Sequence, residues 1–434
     1  MNKVPSYYRW ELLLLLSLAF FFHQADRAIF GILLKPISES LHLSSEQMGL
    51  TGTVLFATLA LMMPFAGYIG DRFSKKWIIT ICIIFWSAAT AMTGLATGLI
   101  GLIFFRSIAT AGGESFYAPS AYPMLAAYHK ETRSFAMSVH QAALYLGVMS
   151  SGFLAGAIAA KLGWRHTFII FGLAGVLLGI IFIFRLRAMP VSEEQSLSRG
   201  LNTVPQKETY SFWKAVGIII RVPTFWLLTI GFSAIVCVNN AFLVWAPTFV
   251  QDKFEVSLIS AGGYSMLYHH LAAFLGIMLG GVFTDQLIRY NSKGRLWIQT
   301  IAMLLGAPAI FYMGYTHSLN WVWIMMGLFG FFRGLYETNT HAAVFDVIEP
   351  KYRSTAVALL TMIAFWVGSC TPLLLGSLRG GKLLLMIQNW GHPLDEKFGL
   401  AVGFSSLSVL WVLGSLAVLF AIFFTFKRDR IIES

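Results

Sequence analysis

The chain has 434 residues, of which 57% are hydrophobic and 12% charged, and its mean hydropathy is +0.70. A water-soluble chain carries about 25% charged residues, so a soluble enzyme or regulatory domain is excluded. The net charge of +11 would suit a nucleic-acid partner, but the Lys and Arg residues form no basic arm; they sit in short segments between apolar runs, the pattern of membrane topology.

Apolar stretches of spanning length predict helices over 11–35, 47–70, 77–97, 98–125, 134–160 and 165–187, then 223–250, 258–284, 296–316, 320–346, 354–376 and 399–425. The first is read as a membrane helix rather than a secretory leader. It runs past His23, Asp26 and Arg27 to Leu34, longer and more polar than a signal core. Helix is preferred to strand because backbone groups in lipid must be paired within the segment, and the short alternating segments of a barrel are absent. Positive charge concentrates around Arg72, Lys75, Lys76, Lys130, Arg133, Arg185, Arg289, Arg295 and Arg353, which predicts that these segments and both termini face the cytoplasm. Short loops point to a bacterial inner membrane.

Residues 188–215 form the one long polar stretch and divide the chain into an N-terminal bundle, 1–187, and a C-terminal bundle, 216–434. These halves echo each other. Gly67-x-x-x-Asp71 recurs as Gly281-x-x-x-Asp285, Glu114 as Glu337, and Arg133-Ser134 as Arg353-Ser354, at intervals of 214, 223 and 220 residues. Intervals near half the chain length indicate duplication. The expected fold is therefore an all-α membrane protein of 12 transmembrane helices in two six-helix, pseudo-symmetric bundles joined by a cytoplasmic linker.

Charges within the apolar runs are the first candidates for chemistry. A charge at mid-membrane costs about 2.5–3.5 kcal/mol on insertion scales, so Asp26 and Arg27 need partners or a cavity. Neighbouring residues point about 100° apart on a helix, which favours partners on other helices over mutual neutralisation. Arg106 and Glu114 lie eight residues apart on the fourth helix. Seven residues return to nearly one face, whereas eight overshoot by about 80°; a π-bulge at Gly112-Gly113 would repair the register. In the second half Arg333, Glu337 and His341 form an i, i+4 stripe, either a self-satisfied ladder or a second site. Gln141, Tyr145, Asn239, Asn240, Trp245, Tyr264 and Tyr268 are candidate substrate contacts, although each also suits simple packing. His140, His269 and His270 could titrate or bridge helices. No phosphate-cradling Gly-x-x-x-x-Gly-Lys-[Ser/Thr], His-Glu-x-x-His or Cys-x-x-Cys occurs, and Cys82, Cys237 and Cys370 are scattered, so neither cofactor nor metal is expected.

The stretch Gly67-Tyr68-Ile69-Gly70-Asp71-Arg72-Phe73-Ser74-Lys75-Lys76 resembles the cytoplasmic signature of the major facilitator superfamily between helices two and three, with Ser74 in place of the family's second glycine. The resemblance implies a gating role for Gly67, Asp71, Arg72, Lys75, Lys76 and the repeat residue Asp285. Asp26-Arg27, Glu114 with Pro119, and Gly163-Trp164-Arg165 resemble the anion:cation symporter family, whose members are sugar-acid/proton symporters. Pro350 to Ala356 is closer to the spinster-like transporters. Three departures stand out. His23-Gln24 occupies the family's Asn-Tyr positions, the Arg106–Glu114 interval is eight rather than seven, and Tyr128-His129-Lys130 replaces a Trp-x-Pro.

What the resemblance implies is a secondary active transporter, not an enzyme. It would be a monomer in the lipid bilayer that moves a small organic anion with a proton by alternating access. Asp26 and Glu114 would carry the proton, and Arg27 and Arg106 would bind the substrate carboxylate. Transport of a lysolipid or other amphiphile, with the same Asp-Arg-Glu set, and proton-coupled drug export remain alternatives. A channel would leave the duplicated gating loop without purpose.

Overall fold

A computed structural model describes residues 7–188, 212–389 and 396–431; most of the stretch expected as a linker, 188–215, lies outside them. The first half contains α1 (Tyr8–Leu41), α2 (Ser45–Arg72), α3 (Lys75–Thr93), α4 (Leu99–Tyr128), α5 (133–162) and α6 (164–185). The second contains α7 (Pro223–Phe254), α8 (Leu258–Tyr290), α9 (Gly294–Tyr315), α10 (Leu319–Glu337, resumed at Thr340–Phe345), α11 (Arg353–Gly368 with Thr371–Gly380) and α12 (Phe398–Asp429).

These are the twelve expected helices; most begin within two residues of where apolar content places them, and α1, α7, α8, α11 and α12 run about one turn further at their C-terminal ends. Among the described residues ten stretches are long and apolar enough to cross a membrane, and one of them, Phe135–Arg185, holds both α5 and α6. Its two helices meet at Gly163, whose φ of 85° is left-handed and open to glycine at little cost. The remaining helix, α10, is more polar because it carries Asn320, Arg333 and Glu337.

Local chemistry explains the turns. His42 closes α1 in the left-handed region, and α2 opens on a capping box, with Gln47 N–H donating to Ser44 Oγ (3.2 Å) and Ser44 N–H to Gln47 Oε1 (2.8 Å). Pro223 starts α7, where its missing N–H has no helical partner to lose.

Helices in lipid gain little from hiding apolar surface from one another, so close van der Waals packing must hold them. At Gly330 of α10 a Cβ would sit 2.0 Å from His269 O of α8. Gly330→Ala is therefore expected to push α8 from α10 and destabilise the second half by about 1–3 kcal/mol. A thermal-unfolding midpoint unchanged in detergent would show that the two backbones are not in contact there.

The two halves meet most tightly at the end bearing the α1–α2 and α7–α8 turns. Gly31 of α1 faces Leu243 O of α7, where a Cβ would lie 2.0 Å away, and Gly152 of α5 faces Gly262 O of α8 at 2.4 Å. An ionic knot closes the same end. Asp252 of α7 accepts from Lys35 of α1 (3.1 Å) and from Arg379 of α11 (2.7 Å), and Arg379 also donates to Ser45 Oγ of α2 (2.6 Å). At the opposite end, Glu11–Arg185 and Arg295–Asp346 each stay inside one half.

Candidate functional site

The site grows from an irregularity in α4. Between Ile103 and Ala109 the helix widens to a π-turn, and Thr110 N–H reaches back five residues to Phe105 O. One extra residue is thereby absorbed between Arg106 and Glu114. Eight residues then cover the angle that seven normally cover, so both side chains face α1. The expected bulge exists, but it precedes Gly112-Gly113 by a turn; those two glycines are ordinary α-helix. Gly113 instead lies where a Cβ would meet Phe85 and Trp86 of α3.

Two charge pairs result. Arg106 Nη1 donates to Asp26 Oδ1 (3.1 Å), and Arg106 Nη2 donates to the Asp26 carbonyl (2.6 Å). Thr90 of α3 donates to Asp26 Oδ2 at 2.5 Å. Both carboxylate oxygens of Asp26 are thus occupied, and Arg106 is fully enclosed, its guanidinium over the rings of Phe30 and Phe168. This pair ties α1 to α3 and α4. In this conformation Arg106, expected as a carboxylate ligand, is enclosed and its guanidinium is taken by Asp26.

The second pair differs. Arg27 Nε donates to Glu114 Oε2 at 2.7 Å, and His23 Nε2 lies 3.8 Å from the same oxygen. Arg27 keeps 19% of its side chain exposed while Glu114 has none. The other oxygen, Glu114 Oε1, is buried with no hydrogen-bond partner. Such an atom costs about 1–3 kcal/mol. Around it His23 packs edge-on to Trp86, and Tyr117 donates to Leu16 O (2.6 Å) and meets His140 Nε2 (3.0 Å).

The other expected contacts divide. Gln141 accepts from Tyr122 (3.3 Å), and Tyr145 packs edge-on to Phe274 of α8, so both stand near the seam of the halves. Asn239 is half-buried; Asn240 is enclosed with neither amide atom partnered. Trp245 is wholly buried and donates to Pro372 O (2.8 Å), a packing role and not the substrate contact expected. Tyr264 stacks on Tyr268 and meets Phe153 of α5 edge-on, while Tyr268 stacks with Trp323 and the two edge an open apolar groove with Leu271, Leu275, Ile324 and Leu328.

Arg333 and Glu337 pair at 3.2 Å, but His341 does not extend their ladder. The helix tightens at Thr338-Asn339, where Asn339 N–H bonds to Tyr336 O, and His341 emerges exposed. In the gating loop, Lys75 is buried and Lys76 donates to Ile183 O of α6 (3.1 Å). Asp285 is exposed, and the side chains of Gly67, Asp71 and Arg72 lie outside the described residues. Sequence reasoning missed Thr90 and the knot of Lys35, Asp252 and Arg379. Charges at helix ends are commonplace, and only the folded pairing across the halves singles these out.

A family model described as the Major Facilitator Superfamily matches residues 16–372. The chain belongs to that superfamily. Similar proteins include the probable galactarate/D-glucarate transporter GudP of Bacillus subtilis, 24% identical over 85% of this chain and 85% of that protein. Protein spinster homolog 1 of Xenopus tropicalis is 26% identical over 81% of this chain and 69% of that protein. Among solved structures, a bacterial homologue of the human lysosomal transporter spinster, in an inward-facing and occupied conformation, matches with a TM-score of 0.82 and 22% identity, covering 99% of this chain and 100% of that chain. This superfamily member is thus a multi-pass membrane transporter with the twelve-helix fold, and its relatives are transporters rather than enzymes.

Proposed function

We propose that the chain is a proton-coupled symporter of a small organic anion such as a sugar acid. The observation that carries this reading is the Arg27–Glu114 pair, whose carboxylate keeps one buried oxygen unpartnered while its arginine remains partly open. When Glu114 is ionised it occupies Arg27. A proton on Glu114 weakens that bond and frees the guanidinium for a substrate carboxylate, which arginine can hold by two parallel hydrogen bonds. Proton and anion affinities are then coupled, and reciprocally. Asp26, expected to share the proton, instead positions Arg106 and the α1 backbone in this conformation, because both of its oxygens already have donors.

The halves, 1–187 and 216–434 with 188–215 as linker, rock about this site. With both termini cytoplasmic, the end closed by Gly31, Gly152 and Asp252 is the outer one, so this conformation is inward-facing. Asp71, Arg72, Lys75, Lys76 and Asp285 would latch the opposite state. A monomer in a bacterial inner membrane suits this arrangement.

A second reading, transport of an amphiphile such as a lysolipid, is favoured by the open apolar groove between α8 and α10 and by the similarity to spinster proteins. The two readings separate in liposomes loaded with a pH-sensitive dye. Acidification of the interior on adding a sugar acid supports anion symport. Silence toward a sugar-acid panel, with uptake of a lysolipid, would replace it by the amphiphile reading.

A further inference from the structure

Each half holds one arginine–glutamate–histidine group. In the first, Arg27, Glu114 and His23 lie within 2.7 and 3.8 Å of one another around Glu114 Oε2. In the second, Arg333 Nη2 stands 3.2 Å from Glu337 Oε2, and Arg333 Nη1 stands 3.2 Å from His269 Nε2. Arginine has only donors, so His269 Nε2 must accept and the ring is neutral. Phe242 and Phe329 hold that ring, with centroids 4.4 and 4.5 Å away. His269 is therefore a fixed post that aims Arg333.

Position supports a shared purpose. Glu114 and Glu337 are related by the internal repeat, and in this architecture the halves are related by an axis along the membrane normal. The two carboxylates then lie on corresponding helices on opposite sides of that axis, Glu337 about one turn further along α10 than Glu114 is along α4. Arg333 and Glu337 continue the buried stripe of Met326, Phe329 and Gly330, away from the lipid-facing Ile324 and Leu328. Tyr145, from the other half, lies within electrostatic reach of both charges. The side chains of Arg333 and Glu337 are 14% and 39% exposed, so the pair is accessible, and Arg333 Nε is buried without a partner.

We infer that Arg333 is a second carboxylate anchor and Glu337 its competing counter-charge, so that the site takes an anion carboxylated at both ends together with two protons. This rests on the organic-anion reading above. Charge balance follows directly. The empty site holds two arginines against two glutamates; the loaded site holds two arginines against a dianion, with Glu114 and Glu337 protonated. Both are neutral, so neither carries an uncompensated charge through the low-dielectric occluded state. Among the described residues, the titratable and charged groups facing Glu337 are Arg333 and His341 of its own helix and Tyr145 of α5, while His269 of α8, beside His270, faces Arg333. With His269 held neutral by its bond to Arg333, Glu337 is the group whose charge exchanges with the substrate's.

The test uses the full chain in liposomes, with glucarate (two carboxylates) and gluconate (one) on the same carbon skeleton. Glucarate uptake is expected to exceed gluconate uptake by about tenfold or more. Arg333→Gln should abolish that preference by lowering glucarate uptake alone. Arg333→Lys, which keeps the charge but not the forked geometry, should lower it partly and serves where the Gln variant does not fold. Wild-type glucarate accumulation should ignore membrane potential. In Glu337→Gln, glucarate enters with one proton and one net negative charge, so accumulation should fall about fifty-fold per 100 mV, inside negative. Equal handling of both acids by wild type and variants would overturn the inference and leave anion symport standing. Transport of neither acid would overturn both.

Discussion

Replacing Glu114 by Gln is expected to abolish proton-driven accumulation of the anion, by roughly 100-fold, while exchange of labelled for unlabelled anion continues. Gln keeps the shape of the side chain and an acceptor for Arg27 Nε, but it cannot ionise. Arg27 is then never held by a full negative charge, and its affinity for a substrate carboxylate no longer depends on a proton. Removing one member of an enclosed ion pair usually costs about 3–5 kcal/mol of stability; the partial exposure of Arg27 lets water and substrate moderate that here. Asp26→Asn should behave differently. It weakens the bonds from Arg106 and Thr90 that fix α1 to its neighbours, so lower yield and a lower melting midpoint are expected before any loss of coupling. Dye acidification and counterflow, measured side by side on the same vesicles, distinguish the two. A Glu114→Gln protein that still acidified the lumen on adding anion would remove Glu114 from the coupling mechanism.

Asp252→Ala is expected to move the conformational population by about tenfold or more away from closure at the α1–α2 end, equivalent to about 1.4 kcal/mol. Asp252 is nearly buried and accepts from Lys35 across the junction of the halves and from Arg379 of its own half, which in turn donates to Ser45 of the first. Without it those cations face each other unneutralised, and repulsion adds to the lost attraction. Lys35 is about one-third exposed, so solvent screens part of the effect. Electron–electron distance distributions between spin labels near the C-terminal ends of α1 and α7, on a background with Cys82, Cys237 and Cys370 replaced, report the shift directly. A distribution unchanged from the parent would mean that the backbone contacts at Gly31 and Gly152 hold that end unaided.

Much of the architecture was legible because lipid imposes strong rules. Apolar length located all twelve helices, and the repeats Asp71/Asp285 and Glu114/Glu337 exposed the duplication. Asp26, Arg27, Arg106 and Glu114 were legible as a group because a charge in an apolar run demands a partner. What the one-dimensional pattern could not do was assign partners. The pairing Arg106–Asp26 and Arg27–Glu114, rather than the reverse, depends on where the π-turn falls, and nothing in Ile103-Phe104-Phe105-Arg106 announces it. Aromatic residues were the weakest guide. Trp245, Tyr264 and Tyr268 have the composition of a binding pocket, yet the first is sealed in packing, the second meets Phe153 of the other half and the third edges an open apolar groove, because the same ring chemistry suits all three settings. Lys35, Asp252 and Arg379 were hidden for the opposite reason, since each is ordinary at a helix end.

The widened turn of α4 also decides how this chain is to be aligned with relatives that keep the seven-residue interval. The added residue belongs inside the membrane, between Phe105 and Thr110, and not in the loops on either side. An alignment that places its gap at the 94–98 turn or after Tyr128 would pair Arg106 or Glu114 with a neighbour of the true counterpart. The error would rotate one wall of the cavity by about 100°, turning a preserved charge pair into an apparent loss.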